Sequence, residues 1–107
     1  MRTGRRLRDR RTDGRVSATP ARPVEVVVYS RPGCHLCEEA IENLVSLHRQ
    51  GYRFELHEID IESDDLLLRR HLEKIPVVEV DGIVASELRF DEAVVRARLD
   101  TVGAWPT

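Results

Sequence analysis

Tyr29-Ser30-Arg31-Pro32-Gly33-Cys34-His35-Leu36-Cys37 is the stretch from which the fold can be read. It holds both cysteines of the 107-residue chain, separated by two residues. Val24-Glu25-Val26-Val27-Val28 precedes it, a β-branched run suited to a central strand covered on both faces. Pro32 and Gly33 end that strand. Glu38-Glu39-Ala40-Ile41 follows, within a helix expected to start at or near Cys34 and to reach about Gln50. A CxxC at a strand-to-helix junction of a small α/β chain points to a dithiol site.

The remaining elements follow outward from this junction. Ile41, Leu44, Val45 and His48 recur at spacings of three and four and predict the apolar face of the first helix, with Gly51 as its stop. Tyr52 to Ile61 reads as a second strand whose alternation slips one residue out of phase between Leu56 and Ile59. Glu62-Ser63-Asp64-Asp65 supplies capping oxygens for a second helix, with Leu66, Leu67, Leu68 and Leu72 as its apolar side. Val77 to Val80 and Ile83 to Ala85 flank Asp81-Gly82, a two-residue hairpin turn. Asp91 is placed to cap a last helix with Ala93, Val94, Val95, Ala97 and Leu99 as its apolar positions. Trp105, the single tryptophan, is expected to pack back on the domain. The order is β-α-β-α-β-β-α. Its first two strands flank a helix and so pair in parallel through a right-handed crossover. The fold class is α/β, a four-stranded mixed sheet with helices on both faces.

Composition narrows the reading. The hydrophobic fraction of 41% is ordinary for a globular chain, and no apolar run approaches the roughly 20 residues of a membrane span. Residues 1–23 carry eight arginines against Asp9 and Asp13, a net of +6; residues 24–107 carry nine Lys/Arg against seventeen Asp/Glu, a net of −8. Two units follow: a disordered Arg-rich tail over 1–23, and a folded domain over 24–107. The tail has no apolar h-region and so is not read as a signal peptide. Clustered arginines leave room for a contact with nucleic acid or another acidic surface, but the tail alone does not define a nucleic-acid-binding protein. Two cysteines this close do not make a secreted disulfide framework, so the expected compartment is the cytoplasm.

The chemistry of the pair comes from its position. Exchange needs a thiolate that attacks and a second thiol that resolves the mixed disulfide. Cys34, at a helix start, meets unpaired N–H groups and the positive end of the helix dipole, both of which favour the anion. Cys37, on the same side of the first turn, is placed to resolve and to be the more buried. Arg31 and His35 are the cations positioned to tune Cys34, with Glu38 and Glu39 acting against them where they face the sulfur. The competing readings are two inert structural cysteines, or half a zinc site; zinc ordinarily takes four ligands, and His35, His48, His57 and His71 form no second close pair.

Residues Val26 to Cys37 resemble the glutaredoxin-like branch of the thioredoxin-fold superfamily: strand, Tyr29, Ser30, Arg31, two residues, CxxC. Ile75-Pro76-Val77-Val78 looks like the family's Val-Pro segment, and Asp81-Gly82 matches its hairpin. The resemblance covers roughly residues 24–100. It implies a thioredoxin-like fold with Pro76 in a cis peptide facing the CxxC, and a role for Ile75 and Pro76 in aligning an extended substrate. It further implies a redox-active Cys34–Cys37 disulfide acting on protein or small-molecule disulfides, in a monomer without bound cofactor or metal. Electrons would come from a small thiol or a thioredoxin reductase. The chain departs from the family at three points. The CxxC interior is His35-Leu36 rather than Pro-Tyr. The Gly-Gly pair that helps glutaredoxins hold glutathione is replaced by Ser86-Glu87-Leu88-Arg89-Phe90-Asp91, where only Asp91 remains. That stretch is nearer to the Ser-Gly-Phe-Arg-Pro-Asp segment of glutaredoxin-like proteins served by thioredoxin reductase. Val28 stands where thioredoxin has its acidic residue, so proton transfer at Cys37 falls to water or another group. The alternatives on this fold are a redox-inert binding module and thiolate handling of a metal or iron–sulfur cluster.

Overall fold

The computed structural model describes residues 23–105. The tail expected over residues 1–23 lies, Pro23 apart, outside the described residues. The elements run β1 (Glu25–Ser30), α1 (His35–Gln50), β2 (Glu55–Asp60), a 3-10 turn (Ile61–Ser63), α2 (Asp65–His71), β3 (Val77–Val80), β4 (Ile83–Glu87) and α3 (Glu92–Thr101). The sheet order is β2-β1-β3-β4. β1 pairs in parallel with β2 and antiparallel with β3, which pairs antiparallel with β4. The β-branched run therefore does form an inner strand of a mixed sheet.

Alternation along β1 divides the two faces. Val26 and Val28 point into the main core with Leu44 and Leu47 of α1, Val78 and Val80 of β3, and Val95 and Leu99 of α3. Val27 and Tyr29 point to the other face, which is only half covered. There the Tyr29 ring stacks on His71 of α2 at 4.3 Å between centroids. Helices thus lie on both faces, but the second face has the thinner cover. Among the described residues no helix is long and apolar enough to cross a membrane.

Local chemistry sets the ends of the elements. Asp81 and Gly82 both take positive φ, 48° and 84°, as a tight hairpin turn with the strands' own twist requires. The Asp81 carboxylate also accepts from Glu25 N–H at 2.9 Å, fixing the turn to the start of β1. Gly51 ends α1 at φ 123°, its N–H donating to the His48 carbonyl. Asp64 caps α2 through Leu66 and Leu67 N–H, and Asp91 caps α3 through Val94 N–H.

Several sequence expectations are corrected. The second strand is shorter than Tyr52–Ile61: Tyr52 and Phe54 are buried core residues ahead of it, and Ile61 is buried in the 3-10 turn. The slip itself lies inside β2, whose parallel pairing with β1 is unbroken: Leu56 and Ile59, both half-buried, face opposite sides of the sheet. On α1 the buried stripe is Cys37, Ala40, Leu44 and Leu47; Val45 and His48 are exposed, with the His48 ring edge-on to Phe54 at 5.6 Å. The stripe lies about one position from the one predicted. Leu66 and Leu72 of the Leu-rich segment are exposed, and His71 is the buried residue of α2. On α3 only Val95 and Leu99 are buried. Trp105 does pack back, against the Tyr52 ring at 4.7 Å, while staying largely exposed.

Candidate functional site

The strand-to-helix junction is a tight turn. Cys34 N–H donates to the Arg31 carbonyl at 3.2 Å, and Gly33 passes through φ 78° to allow it. Cys34 is the N-cap of α1: its backbone is extended, its carbonyl receives Glu38 N–H at 3.1 Å, and its Sγ accepts Cys37 N–H at 3.1 Å. A sulfur thus stands where a capping oxygen ordinarily would. Cys34 and Cys37 are joined in a disulfide with Cα atoms 5.2 Å apart. Cys34 is half-buried and Cys37 only 2% exposed, so the first sulfur is the one that a partner can reach.

The pair opens onto a cleft of about 300 Å³. One wall is the turn itself, Ser30 to Gly33; the others come from Glu38 of α1 and from Glu58 and Asp60 of β2. Glu58 and Asp60 had no role in the sequence reading. They come to the site because β2 is parallel to β1 in the register Val28↔Glu58 and Ser30↔Asp60, which sets the last residues of β2 beside the exit of β1. The buried Ser30 hydroxyl donates to Glu58 Oε2 at 2.8 Å. Asp60 Oδ1 accepts Glu62 N–H at 2.8 Å, starting the 3-10 turn.

The predicted tuning residues lie at different depths. Arg31 lines the cleft, but its guanidinium is paired with Glu62 at 2.6 Å. His35 stands out from the helix, 3.1 Å from Glu39 and 3.9 Å from Glu38. None of the four histidines lines the cleft.

The Ile75–Pro76 peptide is cis, and Pro76 is fully buried. Since Tyr29 pairs with Val77 in the antiparallel β1–β3 register, Pro76 comes beside Ser30, at the entry to the CxxC turn. Ile75 N–H is engaged by the His71 carbonyl at 3.1 Å. Leu88, in the left-handed region at φ 69°, sends its N–H to both Lys74 and Pro76 carbonyls, at 2.8 and 3.0 Å. The stretch after β4 is thereby tied to the proline loop. Within it the Ser86 hydroxyl donates to Arg89 O and accepts Asp91 N–H, while the Asp91 carboxylate caps α3.

Behind this loop, His71 is buried, with no hydrogen-bond partner for Nδ1 among the described residues. Burial, then the adjacent Arg70 cation, pushes its pKa down, with Lys74 adding to the effect and Glu79 and Glu87 opposing it. Tyr29, stacked on it, is pushed up by burial and by Glu79.

Comparison with known proteins agrees with this geometry. The model of a glutaredoxin-like domain (DUF836) matches residues 25–100. The solution structure of protein Ne2328 from Nitrosomonas europaea is similar at 33% identity and a TM-score of 0.65, over 75% of this chain and 95% of that one. Protein XcR50 from X. campestris is similar at 30% identity and a TM-score of 0.57, over 71% of this chain and 96% of that one. Oxidised thioredoxin from Plasmodium falciparum, at 10% identity and a TM-score of 0.53 over 77% of this chain and 83% of that one, shares the fold. No curated protein matches the chain.

Proposed function

This chain belongs to the glutaredoxin-like domain family, and from that premise we propose that it is a dithiol–disulfide oxidoreductase. The observation that carries the reading is the asymmetry of the pair: a reachable Cys34 sulfur held at a helix N-terminus by Cys37 N–H, over a buried partner. In the reduced protein the same N–H and the helix dipole favour a Cys34 thiolate. That thiolate attacks a substrate disulfide R–S–S–R, forming Cys34–S–S–R and releasing one RS⁻, which takes a proton from water. Cys37 then gives its proton to water and attacks Cys34 Sγ, closing the disulfide and releasing the second RS⁻, which takes up a proton in turn. The sum is R–S–S–R plus dithiol giving two R–SH plus disulfide, with two electrons moved.

Of the two cations expected to favour the thiolate, Arg31 is the one at the cleft, where it is paired with Glu62, while His35 stands out beside Glu39. Ile75 and Pro76 align an extended substrate beside Cys34; with Ile75 N–H engaged by His71, that alignment falls to the Ile75 carbonyl. Protein or small-molecule disulfides are the substrates, and a small thiol or a thioredoxin reductase supplies the electrons to a cytoplasmic monomer that needs no bound cofactor.

The test is rapid-quench alkylation of the reduced protein across pH, with Cys34→Ser and Cys37→Ser beside it. The expected outcome is a Cys34 reactive at neutral pH, a Cys37→Ser variant that accumulates a mixed disulfide, and an inert Cys34→Ser. A Cys34 that stays unreactive near neutral pH would overturn the proposal. Parallel turnover with glutathione, another low-molecular-weight thiol and thioredoxin reductase identifies the donor.

A further inference from the structure

The walls of the cleft bear on which disulfides it accepts. Three carboxylates line it: Glu38, Glu58 and Asp60. Among the described residues its one lining cation, Arg31, is already matched by Glu62. Together the three leave a formal charge of −3 around the sulfurs, and the domain beyond them is also acidic. The carboxylates on β2 are held by the fold, Glu58 through the Ser30 hydroxyl and Asp60 through Glu62 N–H, so they cannot readily swing clear of an arriving anion. A helix N-terminus would ordinarily welcome negative charge. Here its Cys37 N–H is directed at Cys34 Sγ, and Glu38, the acidic residue of the first turn, lines the cleft beside it.

We propose that the cleft selects its substrate by charge, reducing disulfides flanked by positive groups and turning away those that carry carboxylates. This deepens the oxidoreductase reading and rests on it. The chemical step is the two-electron exchange given above; only the approach of the substrate is biased. For a singly charged group arriving about 7 Å from each carboxylate in a water-like dielectric, every carboxylate alters the encounter about threefold. Three of them, damped roughly by half over most of a Debye length, favour a cation over an anion by a factor on the order of 20 at about 0.1 M salt.

The experiment uses the full chain, reduced with dithiothreitol and desalted, in single turnover. Three probes of similar size are offered: cystamine, bis(2-hydroxyethyl) disulfide and 3,3′-dithiodipropionate. Each rate is divided by the rate of the same probe with free dithiothreitol, which removes intrinsic reactivity. The expected order is cation, neutral, anion, with a normalised cation-to-anion ratio on the order of 20 at about 0.1 M salt that falls to within about twofold at 1 M salt. Glu58→Gln with Asp60→Asn keeps the hydrogen-bond acceptors and lowers that ratio several-fold. Glu42→Gln with Glu73→Gln removes the same charge from exposed positions outside the cleft and leaves the ratio in place. Equal normalised rates for all probes, or a ratio lost equally in the Glu42/Glu73 control, overturn the charge selection while disulfide reduction stands. Failure to reduce any probe overturns both.

Discussion

Replacing Gly33 by Ala tests how the turn before Cys34 is built. A Cβ at this position meets nothing within 4 Å, so sterics against neighbours contribute nothing. The cost is carried by the backbone alone, which sits at φ 78°. Placing an L-residue in that region costs about 1–2 kcal/mol. The reduced freedom of the unfolded chain offsets about 0.4–1 kcal/mol. The net loss is thus about 1 kcal/mol, a fall in Tm of about 4–8 °C for a domain of this size. Gly82 supplies the control, with φ 84° and equally open space, but in the β3–β4 hairpin. Gly82→Ala should lose a similar amount of stability and keep its rate of disulfide exchange. Gly33→Ala should lose both, because the turn it disturbs carries the Cys34 N–H to Arg31 carbonyl bond. Gly33→Asn, which tolerates positive φ better, should lose less. Thermal unfolding and single-turnover exchange measure the two effects. A Gly33→Ala protein more stable than the parent, or one losing more than ~3 kcal/mol as a clash would require, refutes the reasoning.

Three further outcomes follow from other parts of the fold. Leu44→Ala empties a fully buried position under α1 and should cost about 3–5 kcal/mol by denaturant unfolding; a loss under ~1 kcal/mol would mean that the core is not centred there. Asp64→Ala removes a cap bonded to two N–H groups and should cost about 1 kcal/mol, with Asp64→Asn recovering most of it in the same unfolding assay. His71 is held neutral by burial, so the unfolded chain binds its proton first on acidification. Stability should therefore fall as pH drops through the ordinary histidine range toward pH ~5.5. His71→Phe, which keeps a ring against Tyr29, should flatten the Tm change over that interval; an unchanged slope would show that another group governs it.

Much of the site was legible because it is local in sequence. The β-branched run, Pro32-Gly33 and the CxxC specify a strand, a turn and a helix start between Val24 and Cys37, and the hairpin turn at Asp81-Gly82 is similarly self-contained. What depends on pairing was less legible. Glu58 and Asp60 belong to the cleft only through the parallel register of β2 on β1. The signal was present: a right-handed crossover must bring the acidic end of the second strand beside the end of the first. The slipped alternation around Leu56 and Ile59 hid where that strand stops. Helix faces were misplaced for a related reason. Leu66, Leu72 and Val94 fit an apolar period, yet the sheet beneath offers room only for His71 from α2 and for Val95 and Leu99 from α3. Periodicity names a stripe, whereas the opposing surface decides which edge of it is covered.

Among the described residues β2 is also an outer strand of the sheet, carrying Glu55, His57, Glu58 and Asp60. Unpaired strand edges invite a second chain to add on, and charge is a common deterrent. The carboxylates at the cleft therefore also stand as a deterrent to edge-on association. An engineer who neutralised Glu58 and Asp60 to admit acidic disulfides would blunt that deterrent beside a reactive sulfur. The widened substrate range would come with a greater tendency to form fibrils or disulfide-linked clusters on storage.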